Sequence, residues 1–169
     1  STATADVPGA LRGTGVTWRA IRGDDPIHIS ATLPATYDST GYAALTWTAV
    51  GEITDIGEFG REYNILKHHP LANRYPVKKK GTWDEGSLSV KLRLDTDDAG
   101  QILLKAAGLA DTAYSIKVTT VQGDKYYLAA LVNGVKVGVG GADGFIEASA
   151  NMEITSSTAG VGVVEVLAP

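Results

Sequence analysis

Residues Ser87 to Leu94 read SLSVKLRL, and this strict alternation limits most sharply what the chain can become. Leu88, Val90, Leu92 and Leu94 fall on one side; Ser87, Ser89, Lys91 and Arg93 fall on the other. A period of two marks a strand with one buried face and one wet face, whereas a helix would scatter the same leucines around its circumference. The pattern recurs. Ile27, Ile29, Ala31 and Leu33 alternate with His28, Ser30 and Thr32. Leu45, Trp47 and Ala49 alternate with Thr46 and Thr48, and Ile53 to Ile56 continues past Gly51. Further strands are expected at Tyr114–Val121, Lys125–Val132 and Phe145–Thr155. Gln122-Gly123-Asp124 predicts a turn. Asn133-Gly134 predicts a two-residue hairpin, with Val135–Val139 as the returning strand of an antiparallel meander. The apolar tail VGVVEVLAP supplies material for one more edge strand.

One helix interrupts the series. Asp95-Thr96-Asp97-Asp98 offers a capping start, with Asp95 or Thr96 as the cap and the acids favoured by the helix dipole. The helix is expected at about residues 96–107, burying Ala99, Ile102, Leu103 and Ala106, with Gly108 just past its end. Residues 34–41 read as a turn. The fold class is therefore mainly β: an antiparallel β-sandwich or half-barrel with one flanking α-helix and an extended arm and loop. Residues 1–26 read as an N-terminal arm with at most a short strand near Gly15–Ile21, residues 27–155 as the β domain including a long loop at 57–82, and residues 156–169 as a C-terminal arm.

Composition narrows the function classes. A chain of 169 residues with 44% hydrophobic content buries a sizeable core without covalent staples. The absence of cysteine removes disulfides, thiolate metal sites and thiol nucleophiles. A net charge of −4 argues against a dedicated nucleic-acid grip, which shows a basic excess. No apolar run approaches the roughly 20 residues that span a bilayer, so no membrane partner is expected, and no basic-then-apolar leader is visible.

Chemical motifs are sparse. His68-His69 lacks the spacing of a metal site, because neighbours on an extended chain point to opposite sides. Asp97-Asp98 fits a helix start better than an acid–base pair, and Asp84-Glu85 reads as a turn between Gly81 and Gly86. The glycine-rich GVGGADG of residues 138–144 lacks the spacing and lysine of a phosphate loop. Arg22-Gly23-Asp24 spells an adhesion tripeptide too short to carry weight. No catalytic residue, cofactor or metal ligand is assigned. A ligand-binding β-sandwich using Trp18, Trp47 or Trp83 as a platform is the alternative outside structural proteins.

The stretch from Val50 to Trp83 stands apart. Glu52, Asp55, Glu58 and Glu62 face a single Arg61 in its first part; Lys67, Arg74, Lys78, Lys79 and Lys80 occur without an acid in its second. Phe59, Tyr63, Ile65, Leu66, Leu71, Tyr75 and Val77 are interspersed. Pro70 and Pro76 argue against long regular pairing, and the apolar content argues for ordering on a partner or for an extended hairpin. Complementary patches suit a head-to-tail contact between copies of one chain. The interface candidates are Glu52, Asp55, Glu58, Phe59, Arg61, Glu62, Tyr63, Lys67, Leu71, Arg74, Tyr75, Lys78, Lys79 and Lys80.

The run TAVGEITDIGEFGREYN, preceded by Trp47, resembles a segment of the major tail tube proteins of long non-contractile-tailed bacteriophages. The order of arm, β-rich core, strand-then-helix unit and later strands resembles that family too, over about Ile27 to Ile154. The resemblance implies a β-sandwich with a flanking helix, assembled into hexameric rings that stack into a tube whose lumen conducts DNA. It implies partners: further copies of the chain, the tape measure, tail terminator and distal tail proteins, and DNA only in transit. It implies a place in the virion after assembly in the host bacterial cytoplasm. Contractile-tail inner tubes and Hcp-type secretion rings, along with other connector or terminator proteins, are the related alternatives.

Overall fold

The computed structural model describes residues 25–140 and 144–169. The N-terminal arm to residue 24, with the strand expected near Gly15–Ile21, Trp18 and Arg22-Gly23-Asp24, lies outside the described residues, as does part of the glycine-rich bend.

The chain is mainly β. Its strands are β1 (Ile27–Ser30), β2 (Thr48–Val50), β3 (Ile53–Ile56), β4 (Glu62–His68), β5 (Val77–Asp84), β6 (Ser87–Arg93), β7 (Tyr114–Thr119), β8 (Lys125–Gly138), β9 (Glu147–Thr155) and β10 (Val164–Val166). Among the described residues two helices join them, α1 (Ser39–Ala43) and α2 (Ala99–Leu109). Every strand pairing is antiparallel. Eight strands form one sheet in the order β2-β1-β7-β8-β9-β6-β3, with β10 added to β8, and β4 and β5 form a separate two-stranded ribbon.

The alternation in β6 does what its pattern demands: Leu88, Val90 and Leu92 are buried and the residues between them are exposed. They join Ile27, Ile29, Ile116, Leu128, Val132, Ala148, Ala150 and Met152 in one core, which Leu104 and Ala107 of α2 cover. The opposite face has a smaller aromatic cluster. Tyr42 of α1 stacks on Tyr127 with centroids 5.3 Å apart, and Trp47 lies 5.8 Å from the same ring. Trp47 also donates its indole N–H to the Tyr42 carbonyl, so it is built into the fold rather than offered as an open platform.

Four local expectations are corrected. Asn133-Gly134 is not a hairpin turn. The 14-residue strand β8 runs straight through it, with a register shift between Val132 and Gly134. The first part of β8 pairs with β7 and the later part with β9, so one strand joins both halves of the sheet. The inserted residue Asn133 is accommodated as a bulge, its amide donating to the Glu153 carboxylate at 3.2 Å.

Helix α2 starts later than expected, because Asp98 rather than Asp95 or Thr96 is its cap, accepting from the Gly100 and Gln101 amides. Its buried stripe is Gly100, Gln101, Leu104 and Ala107, while Ile102 is exposed and Gly108 lies inside the helix. Gly100 decides the rotation: a Cβ there would collide with the Ala49 and Val50 backbone, so the helix closes on β2 through a bare backbone. Residues 39–43, expected as part turn and part approach to a strand, form a short helix capped by Asp38. Pro70 and Pro76 sit at a ribbon tip and do not interrupt pairing between β4 and β5.

Residues 156–169 return to their own subunit. After a turn at Ser157–Gly160, β10 pairs with the start of β8 (Val164 with Tyr127, Val166 with Lys125), and the Ala168 amide donates to Asp124.

Candidate assembly interface

The ribbon β4–β5 begins at a well-fastened root. Gly57 donates its amide to the Ser89 carbonyl at 2.7 Å, holding the incoming chain against β6. Phe59 turns inward against the core and meets the Tyr126 ring edge-on at 5.5 Å. Arg61 donates from Nε to the Glu85 carboxylate at 2.9 Å and from Nη2 to the same oxygen. Glu85 is buried, so this pair closes the root from both strands. Bonding to Glu85 raises the already high pKa of the guanidinium. Gly86 then turns the chain into β6 with a left-handed φ of 82°, a conformation that favours glycine, and donates to the Asp84 carboxylate.

Beyond the root the ribbon has no core of its own. Every residue of β4 is exposed, and so is every residue of β5 except Gly81. Paired residues share a face. One face carries Tyr63, Trp83, Ile65, Lys80, Lys67 and Lys78; the other carries Leu66, Lys79, His68 and Val77. On the first face cations and rings are stacked: Arg61 lies 4.9 Å from the Trp83 ring, Trp83 lies 6.0 Å from Tyr63, and Lys80 lies 4.5 Å from Tyr63. On the second, Leu66 remains 55% exposed. At the tip, Leu71 and Tyr75 project into solvent beside Arg74. Among the described residues, none of Lys67, Arg74, Lys78, Lys79 and Lys80 lies within ion-pair distance of an acid.

The acidic candidates lie elsewhere. Glu52 occupies the β2–β3 junction at a φ of 59°, its carbonyl accepting from the Arg93 amide and its carboxylate 4.0 Å from the Arg93 guanidinium. Asp55 lies on β3, an edge strand of the sheet. Glu58 and Glu62 flank an open cleft of about 400 Å³ at the ribbon root, lined also by Phe59, Gly60, Arg61, Gly86 and Ser87. The charge split in the sequence is thus a spatial one, with acids along the sheet edge and root and cations along the projecting ribbon. Glu85, expected as part of a turn, is instead buried at the ribbon root, and a lone acid beside a glycine gives no sign in sequence of that burial. His68 and His69 fall at the end of β4, and no group of three or more metal-ligating side chains occurs among the described residues. No helix among the described residues is long and apolar enough to cross a membrane.

No family model and no curated protein sequence matches the chain. Solved structures do match. A chain of the SPP1 tail tube, determined by solid-state NMR and cryo-EM, is similar with a TM-score of 0.56 and 15% identity over 84% of this chain and 76% of that one. A chain of the anti-feeding prophage baseplate is similar with a TM-score of 0.53 and 10% identity over 83% and 90%. A chain of the extended sheath–tube complex of an extracellular contractile injection system, PVC, matches with a TM-score of 0.52 and 7% identity over 98% and 100%. The chain has the tail tube fold. In this tail tube fold the eight-stranded sheet is the body, and the β4–β5 ribbon is the element that leaves it.

Proposed function

We propose that the chain is a structural subunit of a bacteriophage tail tube, self-assembling into stacked hexameric rings whose lumen conducts DNA during ejection. The observation that carries the proposal is the β4–β5 ribbon, which exposes apolar side chains on both faces with unpaired cations between them. A folded protein leaves such an element bare when a partner covers it. The partner that fits is a second copy. The ribbon holds Lys67, Arg74, Lys78, Lys79 and Lys80 against only Glu62 and Asp84 at its base, whereas the whole chain has a net charge of −4, so the rest of another copy is more acidic still. Attraction of this kind sets register and speeds encounter, while Leu66, Leu71, Tyr75 and Val77 supply desolvation. In this reading residues 27–155 form the tube domain, the N-terminal end acts as an arm while residues 156–169 close back on the sheet, and the subunit resides in the virion alongside tape measure, terminator and distal tail proteins. It performs no catalysis.

A second reading places the chain in the tube of a contractile injection system, favoured by the match to the sheath–tube chain along nearly its full length. Electron microscopy of the purified protein over a range of concentrations tests both. Rings or tubes of uniform bore support assembly, and binding of a sheath protein to those tubes selects the second reading. A protein that stays monomeric at high concentration, with and without a tail initiator complex, overturns both.

A further inference from the structure

The root of the ribbon is held from a third direction. Gly162, in the excursion between β9 and β10, lies against the Glu85 side chain so closely that a Cβ at position 162 would clash with its Cγ and carboxyl group. Gly160, at a left-handed φ of 80°, lies beside the Trp83 side chain, where a Cβ would come within 3.6 Å of its ring edge. The excursion is braced by its own bonds: the Ser157 amide donates to the Val161 carbonyl at 2.8 Å, and the Val161 amide donates to the Ser157 hydroxyl at 3.1 Å. Val163 packs on the core, and β10 fastens the segment to β8, where Glu165 lies directly across from Tyr126, the residue whose ring receives Phe59.

We propose that residues 156–166 are a strap that fixes the pose of the β4–β5 ribbon by pressing Glu85 onto Arg61, so that the assembly surface is aimed only while the strap is seated. Among the described residues the ribbon pairs with no other strand and has no buried side chain, so it offers no alternative restraint of its own. Its direction is therefore set at the root. There the buried Glu85 meets Arg61 from one side and the bare backbone of Gly162 from the other. The strap is fastened by the three-residue strand β10, joined to the sheet edge-on, an arrangement that opens at lower free energy than the core. Loosening it frees Glu85, and with it the ribbon, without unfolding the sheet. The inference rests on the ribbon being the assembly surface only for its effect on tubes; the restraint itself is measurable in the monomer.

The test is a double-mutant cycle read by limited trypsin digestion, following cleavage after Arg61 at the root relative to cleavage after Arg74 at the tip. Gly162→Ala inserts a methyl group where Glu85 sits and should accelerate the root cleavage about tenfold. Glu85→Ala should do the same, and adding Gly162→Ala to it should then have no further effect, because the group it displaces is gone. Glu165→Pro, which unpairs β10 from β8 without touching Glu85 or Gly162, should also accelerate root cleavage and keeps the test sound if Gly162→Ala does not fold. Root cleavage at the wild-type rate in the folded strap variants, or effects of Gly162→Ala and Glu85→Ala that multiply in full, overturns the strap. If the cycle behaves as expected while the wild-type protein forms no tubes, the strap stands and the tube reading fails; if wild-type tubes form and Gly162→Ala matches the wild type in both digestion and assembly, the strap fails alone.

Discussion

Asp98 accepts a hydrogen bond from the Gly51 amide at 2.6 Å, across 47 residues of sequence. Its second carboxylate oxygen caps α2 by accepting from Gly100 and Gln101. A single side chain therefore satisfies the start of the helix and an amide at the β2–β3 junction. Asp98→Ala should lower stability by about 2 kcal/mol, the upper range for a helix cap, because a second amide also loses its acceptor. Chemical denaturation of the monomer checks this, and Asp98→Asn should fall between the two.

Gln101 does the complementary work. Its amide nitrogen donates to the Gly51 and Arg93 carbonyls at 3.1 and 2.9 Å, and its oxygen accepts from the Asp95 amide at 2.9 Å. The residue is buried. Gln101→Leu keeps the volume and removes all three bonds, so the loss should be about 3 kcal/mol, larger than truncation of an exposed glutamine by any amount of packing. A wild-type denaturation midpoint in Gln101→Leu would contradict the bonding described.

Tyr42 is fully buried, and its hydroxyl has no hydrogen-bond partner among the described residues. Tyr42→Phe should therefore stabilise the fold by about 1 kcal/mol at neutral pH. Burial also pushes the phenol up from 10.0 to about 12. A pKa higher in the folded state means that the folded protein holds the proton more tightly, so the associated stability is present below pH 10 and is lost as pH rises toward 12. Thermal melts between pH 10 and 12 should fall more steeply for the wild type than for Tyr42→Phe.

Lys78, Lys79 and Lys80 alternate across both faces of the ribbon and are all exposed. Changing the three to glutamate should shift monomer stability by no more than about 0.5 kcal/mol per site. It should raise the concentration needed for assembly at least about tenfold, through repulsion from the acidic body of the next copy. Sedimentation and electron microscopy at matched concentrations check it, and tubes formed at the wild-type threshold would remove charge from the account of the ribbon.

Legibility followed the strength of local patterns. Leu88, Val90 and Leu92 could be placed because nothing competes with their alternation. At Asn133-Gly134 the same logic misleads: Leu128, Ala130 and Val132 keep one phase and Val135 the other, and a phase slip in a period-two pattern marks a bulge as readily as a turn. In α2 the apolar side chains suggested one face, but contact with Ala49 is set by the missing side chain of Gly100, which no hydrophobicity pattern records. The ribbon was legible as an anomaly, since its apolar residues follow neither period. Its root was not, because Glu85, Arg61 and Gly162 meet only through the folded sheet.

The length of β8 has a consequence for how the chain is made. Ile27 of β1 pairs with Val118 of β7, and β7 is held in turn by the first part of β8. Strand β6 pairs on its core side with β9, which is synthesised only after β8 is complete. On the ribosome, then, the pairs β1–β2 and β3–β6 emerge early, and the strands that join one pair to the other, β7, β8 and β9, do not yet exist. The sheet closes only when the last third of the chain arrives, so folding is slow and governed by distant pairings, and the early pairs carry open edges until then.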